Sequence, residues 1–140
     1  AMAEALPQEG VLTTLESSRE FADVAQRYFA KSPHGNKIRL KLGPALQSLQ
    51  AIPANSADFV FIDADKPSYG LYFDEALRIL HSGGVILVDN VFWRYKIFKK
   101  KITNQNARAI AAFNEKVRLE RRVEKVMLSV RDGVYLIRKI

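Results

Sequence analysis

Apolar residues recur along the chain in patterns that predict alternating strands and helices. Continuous apolar runs at residues 59–62 and 85–88 are typical of central strands that are covered on both faces. A β-branched segment at 11–16 and an alternating segment at 38–42 predict two more strands. Two sets of apolar residues have the spacing of a helix with one buried face. They are Phe21, Val24, Ala25, Tyr28 and Phe29, and Tyr69, Tyr72, Phe73, Ala76, Leu77 and Leu80.

Capping and turn residues mark the boundaries of these elements. Residues 17–20 have the spacing of a capping box, so a helix is expected to begin there. The pair Gly83-Gly84 predicts a left-handed helix cap followed by a turn. Residues 104–119 suit a helix, and Asp132-Gly133 predicts a hairpin with a two-residue turn between apolar segments.

The order of the predicted elements is β-α-β-α-β-α-β-α-β-β. It predicts an α/β fold with a doubly wound, Rossmann-like parallel sheet closed by a C-terminal antiparallel hairpin. The chain has 140 residues, of which 48% are hydrophobic and 26% charged, so we expect one domain spanning residues 1–140. The absence of cysteine excludes disulfides and zinc–thiolate sites. No apolar run has the length of a membrane span and no signal peptide is visible, so a cytoplasmic protein without membrane contact is expected.

The net charge of +7 is concentrated in residues 94–101 and in the last part of the chain. A solvated loop and solvated helix faces are the simplest interpretation. The alternatives are a clamp for an anionic substrate, such as a phosphate or a coenzyme A tail, and a weak nucleic-acid surface. No nucleic-acid motif accompanies the charge, so a nucleic-acid partner is not expected.

Three predicted strands end in acids, Glu16, Asp63 and Asp89, and the last is followed by Asn90. Polar residues can simply mark the point where a strand leaves the core, but ligands of open parallel sheets bind beyond the carboxyl ends of the strands. Asp63, Asp89 and Asn90 offer only oxygen donors, which suit Mg²⁺, Ca²⁺ or Mn²⁺. An acid in the position of Glu16 commonly accepts hydrogen bonds from ribose hydroxyls.

Five neighbouring side chains have weaker signals. Lys66 lies three residues after Asp63 and is either a general base or a surface lysine. Trp93, the single tryptophan, either forms the wall of a substrate pocket or covers the sheet edge. Tyr69 and Tyr72 are expected in the core with solvated hydroxyls. Asp65 is expected on the opposite side of the strand from Asp63 and has lower priority.

The segment from FVFIDADK through HSGGVILVDNVFW closely resembles the cation-dependent O-methyltransferases of the caffeoyl-CoA and catechol type, which use S-adenosylmethionine. The combination of DADK, a Ser-Tyr helix start, GG, VDN and a following Trp is specific for this family. The flanking segments VLTTLESSREFADVAQRYF, RLKLGPAL and RVEKVMLSVRDGVYLIRK are also similar, so the resemblance covers essentially the whole chain.

The resemblance implies a role for each candidate residue. Asp63, Asp89 and Asn90 match the metal ligands, and Lys66 matches the general base. Glu16 matches the residue that holds the cofactor ribose, and Gly43 would line the adenine pocket. On the same basis Asp63 and Tyr72 are placed at the cofactor and Trp93 at the acceptor. The acceptor would be a vicinal-diol phenol or a CoA ester, whose deprotonated hydroxyl attacks the sulfonium methyl group.

The sequence differs from the family pattern in two regions. Arg94-Tyr95 stands where a glycine is expected after Trp93, and a lysine-rich stretch follows where the family is acidic. The seven glycines form no G-x-G turn, so we expect a truncated chain that lacks the first strand and the N-terminal helices. We therefore expect poor binding of S-adenosylmethionine and impaired activity.

A sheet without its first strand leaves two inner edges unpaired. We expect either direct pairing of the strands at 11–16 and 59–62, or assembly into a homo-oligomer. The competing hypothesis for function is a non-catalytic oligomerising or anion-binding module derived from the same fold.

Overall fold

The computed structural model describes residues 1–140 and contains six strands and five α-helices. Contacts between Cα atoms divide the chain into two compact units, Ala1–Ala51 and Ile52–Ile140. The prediction of a single domain spanning residues 1–140 therefore stays a prediction, and each unit is described separately below.

The first unit contains a two-stranded parallel sheet. After the short helix α1 (Met2–Ala5), strand β1 (Leu12–Glu16) pairs with β2 (Ile38–Leu42), and α2 (Arg19–Lys31) connects them. Ser18 caps α2 as predicted, because its hydroxyl accepts a hydrogen bond from the Phe21 amide at 3.4 Å. Helix α3 (Ala45–Gln50) follows β2.

The apolar face of α2 is not buried, contrary to the prediction from its spacing. Phe21 is 63% exposed and Tyr28 is 68% exposed, whereas Ala22 is the one residue of the helix that is fully covered. Helical periodicity predicts that a face is apolar, but burial also needs an element that packs against it.

The second unit contains a four-stranded mixed sheet with the order β3-β4-β6-β5. Strand β3 (Ala57–Ile62) runs parallel to β4 (Leu80–Asp89), and α4 (Tyr69–Ile79) connects them. After α5 (Gln105–Leu119), strands β5 (Val123–Leu128) and β6 (Val134–Lys139) form the predicted antiparallel hairpin, in which β6 also pairs with β4. The mixed α/β class and the order of the elements are confirmed.

The core of the second unit lies between one face of this sheet and the helices α4 and α5. Phe113 of α5 makes edge-to-face contacts with Tyr69 and Phe73 of α4, at ring-centroid distances of 5.5 and 5.9 Å. Tyr135 of β6 contacts the same ring at 6.4 Å. Each such pair adds stability beyond the area that it buries, so these rings fix the helices on the sheet.

The opposite face of the four-stranded sheet is apolar and exposed. Strand β3 is an edge strand, and Phe59 and Phe61 are 46% and 45% exposed, so the prediction that this strand is covered on both faces is wrong. The strand registers place Phe61, Leu87, Leu136 and Val126 in one row across the sheet. We call Phe59, Phe61, Val126, Leu128 and Leu136 the open sheet face.

Three further predictions need correction. Strands β1 and β3 belong to separate sheets, so direct pairing between them does not occur. Helix α4 ends with Leu80 in an extended conformation, and Gly83-Gly84 lies inside β4, although Gly83 has the expected positive φ of 85°. The hairpin connection covers residues 129–133, because pairing stops at Leu128 and Val134.

Candidate active site

The acids at the ends of β3 and β4 follow residues that pair directly in the sheet. Ile62 pairs with Val88, so Asp63 and Asp89 leave the same edge of the second unit side by side. Asn90 then adopts a left-handed conformation with φ of 61°. Asparagine tolerates this conformation better than most residues, and it ends the strand immediately after Asp89.

Lys66 is the buried centre of this cluster, with 7% of the residue exposed. It begins a short 3-10 turn, Lys66–Ser68, that leads into α4. Its ammonium group donates hydrogen bonds to Asp63 Oδ1 at 3.1 Å, to the Tyr69 hydroxyl at 2.5 Å and to Asn90 Oδ1 at 3.3 Å. All three donors are used, which is the condition under which a buried ammonium is tolerated.

Tyr69 holds Lys66 through both its ring and its hydroxyl. The Lys66 Nζ lies 4.6 Å from the ring centroid, and the hydroxyl that accepts from Lys66 donates to the Asp89 carbonyl at 3.2 Å. Burial, and next the negative charge of Asp63, raise the pKa of Tyr69 above its ordinary value. The phenol therefore stays neutral near neutral pH, so it can position Lys66 but is a poor proton acceptor.

Trp93 forms the outer side of the cluster. Lys66 Nζ lies 5.6 Å from the Trp93 ring, and the indole Nε1 donates to Asn104 Oδ1 at 3.0 Å. The backbone of Trp93, Arg94 and Tyr95 is left-handed, with φ between 46° and 56°. Arg94-Tyr95 thus stands in place of the expected glycine in a costly conformation, which the surrounding contacts must maintain.

The oxygen donors near Lys66 suit a hard cation. Asp63 and Asn90 each direct a side-chain oxygen at the Lys66 ammonium. Asp89 Oδ1 accepts a hydrogen bond from the backbone N–H of Asn90 at 2.7 Å. Two carboxylates and an amide oxygen have the chemistry of a magnesium or calcium site. However, no group of three His, Cys, Asp or Glu side chains is arranged to hold a metal ion. A cation between Asp63 and Asn90 would have to replace their bonds to Lys66.

Asp65 and Tyr72 form a separate pair beside this cluster. The Tyr72 hydroxyl donates to Asp65 Oδ1 at 2.5 Å. Partial burial opposes ionisation of Asp65, but hydrogen bonds from Ser68 and Tyr72 outweigh it and lower the Asp65 pKa. Burial, and then the bond to this carboxylate, raise the pKa of Tyr72. Asp65 therefore accepts a bond from Tyr72, whereas Asp63 pairs with Lys66.

Glu16 and Gly43 lie together in the first unit. The Gly43 amide donates to the Glu16 carbonyl at 2.8 Å, which joins the ends of β1 and β2. Glu16 Oε1 accepts a hydrogen bond from the Ser18 amide at 2.7 Å, just before α2. Gly43 has φ of 134°, and an added Cβ would meet no atom within 4 Å, so the space beside this backbone is open.

Sequence reasoning missed two residues of the site. Tyr69 was expected to be a core residue with a solvated hydroxyl, but it is fully buried and bonds both Lys66 and the backbone of Asp89. The separation of three residues between Lys66 and Tyr69 at a helix entry is a signal that could have indicated this contact. No sequence signal indicated that Asn104 holds the Trp93 indole.

The comparison with known proteins gives a consistent result. The sequence profile described as O-methyltransferase matches residues 1–140. Probable caffeoyl-CoA O-methyltransferase 1 of Dictyostelium discoideum is 36% identical over 143 residues, which cover 99% of this chain and 62% of that protein. Caffeoyl-CoA O-methyltransferase 2 of Zea mays is 32% identical, with 100% and 57% covered. The chain thus spans about three-fifths of the length of these relatives.

Solved structures agree in fold. The O-methyltransferase of Bacillus cereus in complex with SAH superposes with a TM-score of 0.91 at 30% identity, covering 99% of this chain and 67% of that one. TomG of Streptomyces achromogenes in complex with SAM gives 0.90 at 27% identity, with 99% and 66% covered. The profile match over the full chain shows that this protein belongs to the O-methyltransferase family.

Proposed function

We propose that this protein takes part in methyl transfer from S-adenosylmethionine to a hydroxyl of a vicinal-diol phenol or an acyl-CoA-type substrate. The observation that carries the proposal is the buried Lys66, which Asp63, Asn90 and Tyr69 surround at the carboxyl ends of two parallel strands. A buried amine at such an edge is suited to proton transfer. Membership of the O-methyltransferase family indicates that the proton comes from a hydroxyl that receives a methyl group.

In this proposal Lys66 and Trp93 act on the acceptor. As the neutral amine, Lys66 takes the proton of the reacting hydroxyl at Nζ, and the Tyr69 hydroxyl, which is also bonded to the Asp89 carbonyl, holds that atom in place. Trp93, whose ring centroid lies 5.6 Å from Lys66 Nζ, provides an aromatic wall against the acceptor ring. Positioning of this kind supplies much of the acceleration when the chemistry is a simple displacement.

Asp63, Asp89 and Asn90 would hold a divalent cation, Mg²⁺ foremost with Ca²⁺ or Mn²⁺ as alternatives. When bound, the cation supplies positive charge that favours the ionised form of the acceptor hydroxyl. Glu16, Gly43, Asp63 and Tyr72 are proposed to bind S-adenosylmethionine, which supplies the electrophilic methyl group. The open space beside Gly43 supports a role at a flat ligand.

A methyl-transfer assay with catechol and labelled S-adenosylmethionine tests the proposal. Lys66→Gln should lower kcat by about a hundredfold or more, because it removes the proton acceptor. Lys31→Gln, at an exposed lysine of α2, is the control and should keep full activity. Activity of Lys66→Gln equal to that of the unchanged protein would exclude Lys66 as the base.

The metal assignment has its own test. Chelation by EDTA should abolish transfer and added Mg²⁺ should restore it, and Asp89→Asn should raise the Mg²⁺ concentration required. Transfer that is unaffected by EDTA would refute the assignment of Asp63, Asp89 and Asn90. The expectation of poor cofactor binding stays a prediction, and calorimetry with S-adenosylmethionine would contradict it by showing micromolar affinity.

The second candidate is a non-catalytic oligomerising or anion-binding module. The open sheet face favours it, because contiguous exposed apolar surface commonly marks an interaction site. No helix is both long and apolar enough to cross a membrane. Under this alternative Lys66→Gln would leave the oligomeric state and the anion binding of the protein unchanged. Substitutions on the open sheet face would alter its oligomeric state.

A further inference from the structure

Three consecutive residues of the loop after β4 have backbone conformations that glycine adopts far more easily than they do. Trp93, Arg94 and Tyr95 have φ of 46°, 53° and 56°. A left-handed conformation is costly for a residue with a Cβ atom, so a run of three persists only where surrounding contacts stabilise it. The bonds from the Trp93 amide to the Asn90 carbonyl and from the Lys96 amide to the Trp93 carbonyl lie within the loop itself. They cannot fix Trp93 relative to the rest of the second unit.

Asp132 holds this run from the connection between β5 and β6. Its Oδ1 accepts a hydrogen bond from the Arg94 amide at 2.5 Å, and its backbone carbonyl accepts one from the Phe92 amide at 2.8 Å. The first bond is charge-assisted, which makes it stronger than a neutral one. The Asp132 carboxylate belongs to none of the eight ion pairs of the structure, so no side-chain cation competes for Oδ1. Asp132 therefore bonds the residues on both sides of Trp93.

The indole of Trp93 has a separate support at the start of α5. Asn104 Oδ1 accepts from the indole Nε1 at 3.0 Å and also from the Ala107 amide at 2.9 Å, which caps the helix. Substitution of Asn104 would therefore disturb the helix and Trp93 together. Trp93 is held at its indole by α5 and at its backbone by Asp132, and the second support can be removed without the loss of a helix cap.

We propose that Asp132 is a positioning residue that sets the orientation of Trp93 and thereby the affinity for the aromatic acceptor. The inference rests on the proposed function, in which Trp93 is the aromatic wall beside Lys66. Without the Asp132 carboxylate the Arg94 amide loses its partner, and the left-handed run relaxes toward ordinary backbone conformations that turn the indole away from Lys66. The hairpin, which carries none of the candidate catalytic residues, thus takes part in acceptor binding.

The fluorescence of Trp93 tests the positioning without cofactor, metal or acceptor. Trp93 is the only tryptophan, so the emission reports its surroundings alone. Asp132→Ala should shift the emission maximum to longer wavelength and increase quenching by acrylamide, because the indole becomes more exposed. Asp132→Asn keeps an oxygen that can accept from the Arg94 amide, so its emission should lie closer to that of the unchanged protein. Arg131→Gln removes one charge from the same connection and is the control, which should change neither reading.

Arg94→Gly tests whether backbone strain links Asp132 to Trp93. Glycine adopts a positive φ at little cost, and the Arg94 side chain is exposed and belongs to no ion pair. Arg94→Gly added to Asp132→Ala should therefore return the emission maximum and the quenching part of the way to those of the unchanged protein.

Unchanged emission and quenching in Asp132→Ala would overturn the proposal, and so would the absence of any recovery in the double variant. If neither variant folded, Asp132 would support the hairpin as a whole, which would also overturn a specific role at Trp93. Folding of the double variant alone would support the link through strain.

Methylation of catechol separates this inference from the proposed function. Asp132→Ala should raise the KM for catechol about tenfold, the effect of losing one charge-assisted hydrogen bond, and leave the KM for S-adenosylmethionine unchanged. A merely structural role would reduce the fraction of folded protein, which lowers kcat and leaves both KM values unchanged.

A changed Trp93 emission in Asp132→Ala, with no methylation by the unchanged protein, would refute the proposed function and keep the positioning of Trp93. Methylation by the unchanged protein with the same KM for catechol in Asp132→Ala would keep the proposed function and refute the role of Asp132 in acceptor binding.

Discussion

Lys66 combines a buried position with a complete set of hydrogen-bond partners. Its ammonium group is supported by a carboxylate, an amide oxygen and a phenol, and it lies over the Tyr69 ring and beside Trp93. A lysine desolvated in this way is costly unless each donor is satisfied. The partners therefore determine where Nζ lies, and Tyr69 is the partner that also connects Nζ to the backbone of Asp89.

Removal of the Tyr69 hydroxyl tests this connection. Tyr69→Phe keeps the ring but leaves one of the three Lys66 donors without a partner and removes the bond to the Asp89 carbonyl, so urea denaturation should show a loss of about 1–3 kcal/mol in the free energy of unfolding. If the proposed function holds, kcat should fall while the KM for S-adenosylmethionine stays unchanged.

Tyr135→Phe is the matched control for this substitution. Tyr135 is also buried and also contacts Phe113, but its hydroxyl makes no hydrogen bond, so its removal should cost less than about 0.5 kcal/mol. Equal losses for the two variants would show that the Tyr69 hydroxyl does not hold Lys66.

Among the elements, the β5–β6 hairpin supports the loop that carries Trp93. The Val91 amide donates to the Gly133 carbonyl at 3.1 Å, and the Phe92 amide donates to the Asp132 carbonyl at 2.8 Å. Asn114 of α5 also donates to the Val91 carbonyl at 2.8 Å. The loop beyond Asn90 is therefore held from the hairpin connection on one side and from α5 on the other.

Gly133 is required in this contact for two reasons. Its φ is 80°, and an added Cβ would lie 2.6 Å from Cγ of the buried Phe92 ring. Gly133→Ala should therefore lower the free energy of unfolding by about 2–4 kcal/mol, as measured by urea denaturation. Gly83→Ala has a similar φ of 85° with nothing within 4 Å of the new Cβ, so it should cost only about 1 kcal/mol. If Gly133→Ala and Gly83→Ala lowered the free energy of unfolding by similar amounts, the contact with Phe92 would be ruled out as the cause of the loss in Gly133→Ala.

The connection between α5 and β5 should contribute a pH-dependent part of the stability. Two hydrogen bonds from the Arg122 guanidinium and one from its amide lower the pKa of Glu120 to about 2. Because the folded-state pKa is lower than the unfolded one, the stabilisation is fully present above the unfolded pKa and is lost as the pH falls toward 2.

Urea denaturation of Glu120→Gln at several pH values measures this contribution. The variant should be less stable than the unchanged protein at neutral pH, and the difference should shrink between about pH 5 and about pH 2. A double-mutant cycle with Arg122→Gln isolates the coupling between the two side chains. A coupling energy that is constant across this range would contradict the assignment to Glu120.

For the whole molecule, the open sheet face is the feature with the clearest consequence. Phe59, Phe61, Val126, Leu128 and Leu136 expose apolar surface on one side of a sheet whose other side is packed against helices. Strand β3 also has an unpaired edge. Exposed strand edges beside apolar surface promote pairing between chains.

We therefore expect the 140-residue chain to self-associate as its concentration rises, which sedimentation velocity measures. The double variant Phe59→Gln, Phe61→Gln should shift the equilibrium between monomer and larger species toward the 15.9 kDa monomer. Leu71→Gln, at an isolated exposed leucine of α4, is the control and should not. A single 15.9 kDa species at all concentrations would refute self-association.

The sequence by itself determined the order of the elements and the residues that end the strands. Hydrophobic periodicity and cap residues are local signals, so β1 to β6 and α2 to α5 could be predicted, and so could the acids Asp63 and Asp89. Family motifs added the proposed roles. Burial depends on what packs against an element, and the sequence pattern of Phe59, Phe61 and Phe21 cannot show it.

The tertiary structure alone decided which side chains meet. The hydrogen bond from Lys66 to Asn90 and the contact of Lys66 with the Trp93 ring involve a loop that turns through left-handed residues at Asn90 and at 93–95. Such turns follow from non-local contacts with the hairpin and α5, which no local pattern encodes. The sequence therefore determined which groups are available for chemistry, whereas the packing of the loop decided which of them act together.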